Sequence, residues 1–100
     1  MHLKNIIFLS VILLISCAKN EIKNTLQAKP IKVKNGFGYI ISIDDSIIIS
    51  QPNIPGISGE IAFKSAEDAQ KVGNLVLKKI ENHQSPSIIE NDLKNLKINY

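Results

Sequence analysis

The residues able to make or break bonds are few and widely spaced. The chain has one cysteine, Cys17, and two histidines, His2 and His83. His2 lies ahead of an apolar run that reads as a removed signal, which leaves His83 as the imidazole of the mature chain. It falls at the polar end of a helical pattern, where a solvated or helix-capping role is expected. One His without a spare Cys does not make a zinc site. Asp44-Asp45 lacks the carboxylate spacing of an EF-hand loop and reads as a turn, since short acids bond the local backbone. Gly36-x-Gly38 has no third glycine and opens no helix, so it is not a phosphate loop. Nothing of the G-x-S-x-G type marks a nucleophile. The expectation is a non-enzymatic chain with no catalytic residues, no metal and no cofactor.

The clearest chemical signal is at Cys17. Residues 6–15 read Ile-Ile-Phe-Leu-Ser-Val-Ile-Leu-Leu-Ile, preceded by Lys4 and the free amine. A bilayer-spanning helix takes about 20 residues, so this run is too short. It fits the apolar core of a secretory signal behind a positive start. It ends in Leu14-Ile15-Ser16-Cys17, which resembles the bacterial lipobox. That resemblance implies diacylation of the Cys17 thiol, cleavage between Ser16 and Cys17, and acylation of the new amine. One acyl chain anchors marginally, whereas two or more hold stably. The competing reading is an uncleaved anchor helix that happens to precede a cysteine. A lone cysteine excludes an intramolecular disulfide. Ala18, where an Asp would retain a protein in the inner membrane, leans toward the outer membrane. Ala18-Lys19-Asn20-Glu21 carries no acidic cluster for surface export, which leans toward the periplasmic face.

These features divide the chain into a lipoprotein signal peptide at 1–16, a lipid-anchored tether at 17–30 and a small domain at 31–100. The overall charge of +3 and hydrophobic share of 44% describe none of the three. The excess apolar content belongs to the signal. Residues 18–34 hold five Lys against Glu21, while residues 35–100 hold six Lys against eight acids. The basic character therefore belongs to the tether. Its lysines can rest on anionic headgroups, at about 1 kcal/mol each, or simply solvate a spacer. Every basic residue is Lys, and Arg, the residue of bidentate base and phosphate contacts, is absent. Nucleic acid is not an expected partner.

The elements that must position the domain follow from periodicity. Ile31 and Val33 alternate with Lys32 and Lys34 as a short first strand. Phe37, Tyr39, Ile41 and Ile43 fall at period two, Asp44-Asp45-Ser46 supplies a turn, and Ile47-Ile48-Ile49 returns as a strand expected inside the sheet. Three consecutive Ile on an open edge would invite aggregation, so a cover is expected. Pro52 and Pro55 end the strand, Gly56 permits an unusual backbone angle, and residues 60–63 offer a further short strand. Ser65-Ala66-Glu67-Asp68 resembles a capping box. Behind it, Ala66, Ala69, Val72, Gly73, Val76, Leu77 and Ile80 form one helical stripe. Gly73 costs about 1 kcal/mol relative to Ala, with close approach to the sheet as the compensation. Ser87-Ile88-Ile89-Glu90 reads as a second capping box, followed by a short helix burying Ile89, Leu93 and Leu96. The fold class is α+β: a small antiparallel sheet, a β-hairpin plus one or two short strands, packed against one long amphipathic helix and a short C-terminal helix.

Several of these residues together resemble a family of small bacterial envelope proteins, the domain of unknown function DUF4907, found mainly in Bacteroidetes. They are Gly38-Tyr39-Ile40, Ile49 and Gln51 ahead of Ile54-Pro55, Phe63 with Ser65, Glu67-Asp68-Ala69, Lys79-Ile80 and Pro86. The likeness covers residues 35–97. Phe37 stands where members often carry Trp or a charge, and Gly56 where they often carry Ala. The resemblance implies a short lipoprotein of unknown activity and supplies no catalytic residues.

One loop stands out as a binding candidate. Gln51 is a donor and acceptor at a strand end, Asn53 follows it, Ile54-Pro55 offers a rigid apolar ledge, and Tyr39 flanks them. The alternative is a packing loop in which Gln51 satisfies its neighbours' backbone. The functional expectation is a cell-envelope module, held to the membrane by acylated Cys17, that binds another envelope protein or polymer. A small envelope hydrolase or lipid-handling protein with a site near residues 51–56 is the other reading.

Overall fold

The computed structural model describes residues 25–100. The expected signal, Ser16, Cys17 and the tether up to residue 24 lie outside the described residues. Three strands, β1 (Leu26–Val33), β2 (Gly36–Ile43) and β3 (Ser46–Gln51), are followed by α1 (Ala66–Glu81) and α2 (Glu90–Asn95). The sheet is antiparallel in the order β1-β2-β3, so the architecture is α+β, with a long helix and a short C-terminal one. Among the described residues no helix is long and apolar enough to cross a membrane.

β1 begins at Leu26, earlier than the start expected from the Ile31/Val33 alternation and inside the stretch read as tether. Pro30 is a residue of that strand, opposite Tyr39. An edge strand accommodates this because alternate N–H groups point away from the ladder, and a proline there removes no ladder bond. The β2–β3 turn is as short as Asp44-Asp45 allows. Ile43 pairs with Ser46, and both aspartates have positive φ, 46° and 70°. That is the left-handed pair a two-residue hairpin requires. Asp44 also holds the start of the sheet: Thr25 N donates to its Oδ1 at 2.9 Å, and Asp44 N donates to Thr25 O at 3.1 Å.

Two expectations for the sheet are corrected. Ile47-Ile48-Ile49 does not lie inside it: β3 is an edge, with Ile47 61% and Ile48 47% exposed. A bulge at Ile48 separates the pairs Ser42↔Ile47 and Ile41↔Ile49. Residues 60–63 do not form a strand beside β3. Phe63 alone bridges to Phe37, with N–H···O bonds of 2.9 and 2.8 Å. The reason is Pro52, which ends the β3 ladder and carries the chain across β2. A Cβ at Gly38 would lie 2.4 Å from Gln51 O and 2.7 Å from Pro52 Cα. Only glycine lets the two backbones cross this closely.

α1 lies across β1 and β2 and leaves β3 uncovered. Ser65 Oγ accepts from Asp68 N at 3.1 Å, the cap the sequence implies. The Asp68 carboxylate does not close the box. It is nearly buried and accepts from Asn99 N at 3.2 Å, tying the chain's end to the start of α1. Gly73 is the point of closest approach to the sheet: a Cβ there would sit 3.3 Å from Ala28 Cβ and 3.4 Å from Tyr39 Cβ. Gln70 Nε2 adds a bond to Ala28 O at 2.9 Å. The core gathers Tyr39, Ile41, Ile54, Phe63, Val72 and Leu93 between these layers.

α1 ends in a Schellman turn, with His83 N donating to Ile80 O and Gln84 N to Lys79 O. His83 is exposed and takes the left-handed position, φ 57°, usually given to glycine. The second helix starts later than its expected box. Its N-cap is Ile89, whose N–H donates to Asp92 Oδ2 at 3.0 Å, and Ser87 caps nothing. This shifts the apolar phase by one residue, so Ile88 is buried and Ile89 is 60% exposed.

Candidate functional site

Because α1 stops short of β3, the space above that strand is closed by loops. The turn at Pro55-Gly56 forms one rim. Gly56 has φ 82°, and a Cβ there would lie 2.8 Å from Ile88 O, so this turn abuts the segment at residues 86–88. Lys79 holds that segment from below: its Nζ donates to Ser87 O at 2.7 Å and pairs with Asp92 Oδ2 at 3.3 Å. The Ile89 N–H bond, with Lys79 beside it, lowers the Asp92 carboxyl below the usual carboxylate range. Asp92 therefore stays ionised, and the brace persists, through neutral and mildly acid conditions.

Between the rims lies an open cleft of about 370 Å³. Ile49, Val76, Pro55 and Pro86 give it apolar walls, and Tyr39, Gln51 and Ser87 bring polar atoms. Among the described residues no carboxylate, imidazole, thiol or ammonium group lines it. Gln51 Nε2 donates to Asn53 O at 2.9 Å, which shapes the strand end and occupies one of its two N–H donors. Ser87 is engaged with Ser85 through their hydroxyls at 3.1 Å.

Tyr39 is the unusual member. Its residue is only 3% exposed, and burial pushes the phenol up to about 12. Its ring packs tilted against Phe63, with centroids 6.1 Å apart. No hydrogen bond within the described residues reaches its hydroxyl, yet no fully buried side-chain oxygen among them lacks a partner. The hydroxyl therefore keeps some exposure, and the residue lines the cleft. Its raised pKa keeps it a protonated hydrogen-bond donor through the neutral range and a poor base or nucleophile.

Of the five residues singled out in the sequence, the structure brings Tyr39, Gln51 and Pro55 to one cleft. Ile54 is not part of its ledge: at 2% exposed it is core, with its N–H donating to Ile61 O at 2.7 Å. Asn53 lines a different depression, with Val33, Lys34 and Glu60, and only its carbonyl serves the Gln51 side. The loop alternates, so neighbouring residues cannot all face one site. Residues 86–88, braced by Lys79, form a wall of the cleft that the sequence reading does not include. The signal present was Pro86 behind a polar helix end, which stops the chain from continuing away.

A model of the family described as domain of unknown function DUF4907 matches residues 29–95. The chain belongs to this family. The match takes in every element described here apart from the first residues of β1, and it spans the cleft with both its rims. No curated protein and no solved structure matches the chain. Membership in DUF4907 therefore brings a domain boundary and no assigned chemistry. Among the described residues no group of three or more His, Cys, Asp or Glu could hold a metal ion.

Proposed function

We propose that this DUF4907 protein is a cell-envelope module, tethered by acylated Cys17, that binds a partner in the Tyr39 cleft without transforming it. The observation that carries this reading is Tyr39, a nearly buried residue that lines an apolar cleft and whose protonated hydroxyl has no partner among the described residues. Apolar walls with a few placed polar groups are the usual makeup of a binding site. An uncharged group carrying a hydrogen-bond acceptor fits it, as a peptide or polymer segment of the envelope would supply. The tether reading rests on the lipobox residues Leu14-Ile15-Ser16-Cys17 and on the lysines that follow. A hydrolytic reading has less support, because Ser87 bonds to another serine and no base among the described residues shares the cleft.

Two measurements test the two halves separately. In cells, Cys17→Ala should abolish palmitate labelling and membrane retention, and surviving label would sink the anchor. A photo-crosslinker at Gln51 should capture a discrete envelope adduct that Tyr39→Phe reduces severalfold. A protein that stays solitary at native abundance would sink the binding role.

A further inference from the structure

The β1–β2 hairpin is closed by two residues, Lys34 and Asn35, between the paired Val33 and Gly36. It is built unlike the Asp44-Asp45 turn. Neither Lys34 nor Asn35 has a positive φ, and the unusual angle falls on Gly36, at φ 154°. Gly36 is also fixed by what surrounds it. A Cβ there would collide with Phe63 O and lie 3.1 Å from Ala62 Cβ, so the chain that bridges Phe63 to Phe37 admits only glycine at this place. The fold thus requires a glycine directly after Asn35, which is itself exposed. Of the ten asparagines in the chain, Asn35 alone precedes glycine.

We propose that Asn35 is a site of spontaneous covalent modification, deamidation through a succinimide, and that the product loosens the Phe37–Phe63 bridge. The Gly36 backbone nitrogen, losing its proton to solvent base, attacks Asn35 Cγ. The Cγ–Nδ2 bond breaks, and ammonia leaves with a proton taken from water. The five-membered ring left behind holds Cα, Cβ, Cγ and the carbonyl carbon of Asn35 with the Gly36 nitrogen. Water then adds at one of its two carbonyls. Opening at Cγ gives an ordinary aspartyl residue, and opening at the main-chain carbonyl gives an isoaspartyl linkage that runs through Cγ. In sum one water is consumed and one ammonia released, with no change of oxidation state.

Two observations favour the reaction at this position. Glycine has no Cβ to obstruct the attacking nitrogen, and its backbone turns freely. Val33 and Gly36 are also the last pair of the β1–β2 ladder, and ladder ends open at the least cost. The nitrogen is therefore released without unfolding the sheet. Asn74 and Asn95, by contrast, lie in α1 and α2 ahead of Leu75 and Leu96, whose side chains crowd the attack. The isoaspartyl linkage adds a methylene to a two-residue loop, directly before a glycine packed on Phe63 O. The Phe37–Phe63 pair, with bonds of 2.9 and 2.8 Å, comes next along the strand and takes up the displacement.

The full chain is aged in warm, mildly alkaline buffer, and each asparagine-containing peptide is followed for the gain of one dalton and for isoaspartate. Residue 35 should convert severalfold faster than Asn82, which is exposed ahead of His83. Asn35→Gln should remove the fast phase, because its longer side chain closes a ring less readily. Conversion at residue 35 no faster than at the other asparagines would overturn the modification. The isoaspartyl form is then separated and compared with Asn35→Asp, which carries the same charge without the extra methylene. Amide exchange at Phe37 and Phe63 should be severalfold faster in the isoaspartyl form. Equal exchange in the two would overturn the loosening and leave the modification standing.

Discussion

The two edges of the sheet solve the same problem differently. β1 is blunted along its length. Lys29 and Lys32 put charge on it, Pro30 removes a donor at a position facing outward, and Ala28 O is taken by Gln70. These are the devices by which natural sheets discourage a further strand. β3 has no charge and no proline from Ser46 to Gln51, and no described side chain bonds its outward backbone. Its one protection is the bulge at Ile48, which breaks the regular spacing a new strand would need. The contrast teaches that β1 is closed by its own residues, whereas β3 keeps an open edge. On its front it borders the cleft, and on its back it carries Ile47.

The same contrast appears in how each edge is fastened. β1 is clamped by a helix through Gly73 and Gln70. β3 is held by the crossing at Gly38 and by the Phe63 bridge that replaces it beyond Pro52.

The largest disruption should come from Gly38→Ala. Its Cβ would collide with backbone on the crossing strand, where nothing flexible can yield, so a loss of about 3 kcal/mol or more is expected in urea unfolding. A small effect there would mean that β3 is held elsewhere.

Tyr39 joins the two edges, opposite Pro30 on one side and Gln51 on the other. Its phenol is raised in the folded chain from about 10, so the folded state keeps the proton to higher pH. The resulting stabilisation is complete below pH 10 and is lost as pH rises toward about 12, by roughly 2 to 3 kcal/mol. Tyr39→Phe should remove that alkaline fall in denaturant midpoint while costing less than about 1 kcal/mol at neutral pH, because the hydroxyl has no partner to lose. An unchanged alkaline limb would show that other groups cause it.

On the β1 side, Gln70→Ala removes the bond to Ala28 O and should cost about 1 kcal/mol. Native-state hydrogen exchange should show the loss concentrated in β1 and not in β3. The smallest stability effect belongs to Ile47→Lys with Ile48→Lys, within about 0.5 kcal/mol, since both side chains are already in solvent. Sedimentation should also match the parent's, because the bulge at Ile48 already breaks the spacing that a second copy would need. A parent that self-associates where the double variant stays monomeric would mean that the bulge does not protect the edge.

Much of this architecture was legible from local pattern. The hairpin, the Asp44-Asp45 turn and the Ser65 cap each depend on residues close in sequence, so spacing and residue type announce them. Gly73 is marked by its place on the apolar stripe of α1, although it meets the distant Ala28 and Tyr39. The failures involve distant partners. Nothing in Ile47-Ile48-Ile49 says whether a strand lies on its far side, because that depends on where Pro52 sends the chain. Nothing in Ile88-Ile89 says which of the two is buried, because Asp92 sets the helix start and the rim at Gly56 takes the other. The cleft was half legible for the same reason. Tyr39, Gln51 and Pro55 belong to one local run of motifs, whereas residues 86–88 reach it only through α1 and Lys79.

By itself, then, the sequence determined the local elements and the uneven distribution of charge and hydrophobicity along the chain, since these need only short-range chemistry. It also carried the motifs of DUF4907. The tertiary structure alone decided which edge stays open, which isoleucines are core and which hydroxyl lacks a partner. Those outcomes depend on which strand ends beside which loop. That is fixed by backbone crossings such as Gly38 over Pro52, whose two sides lie too far apart in the chain for any periodicity to relate them.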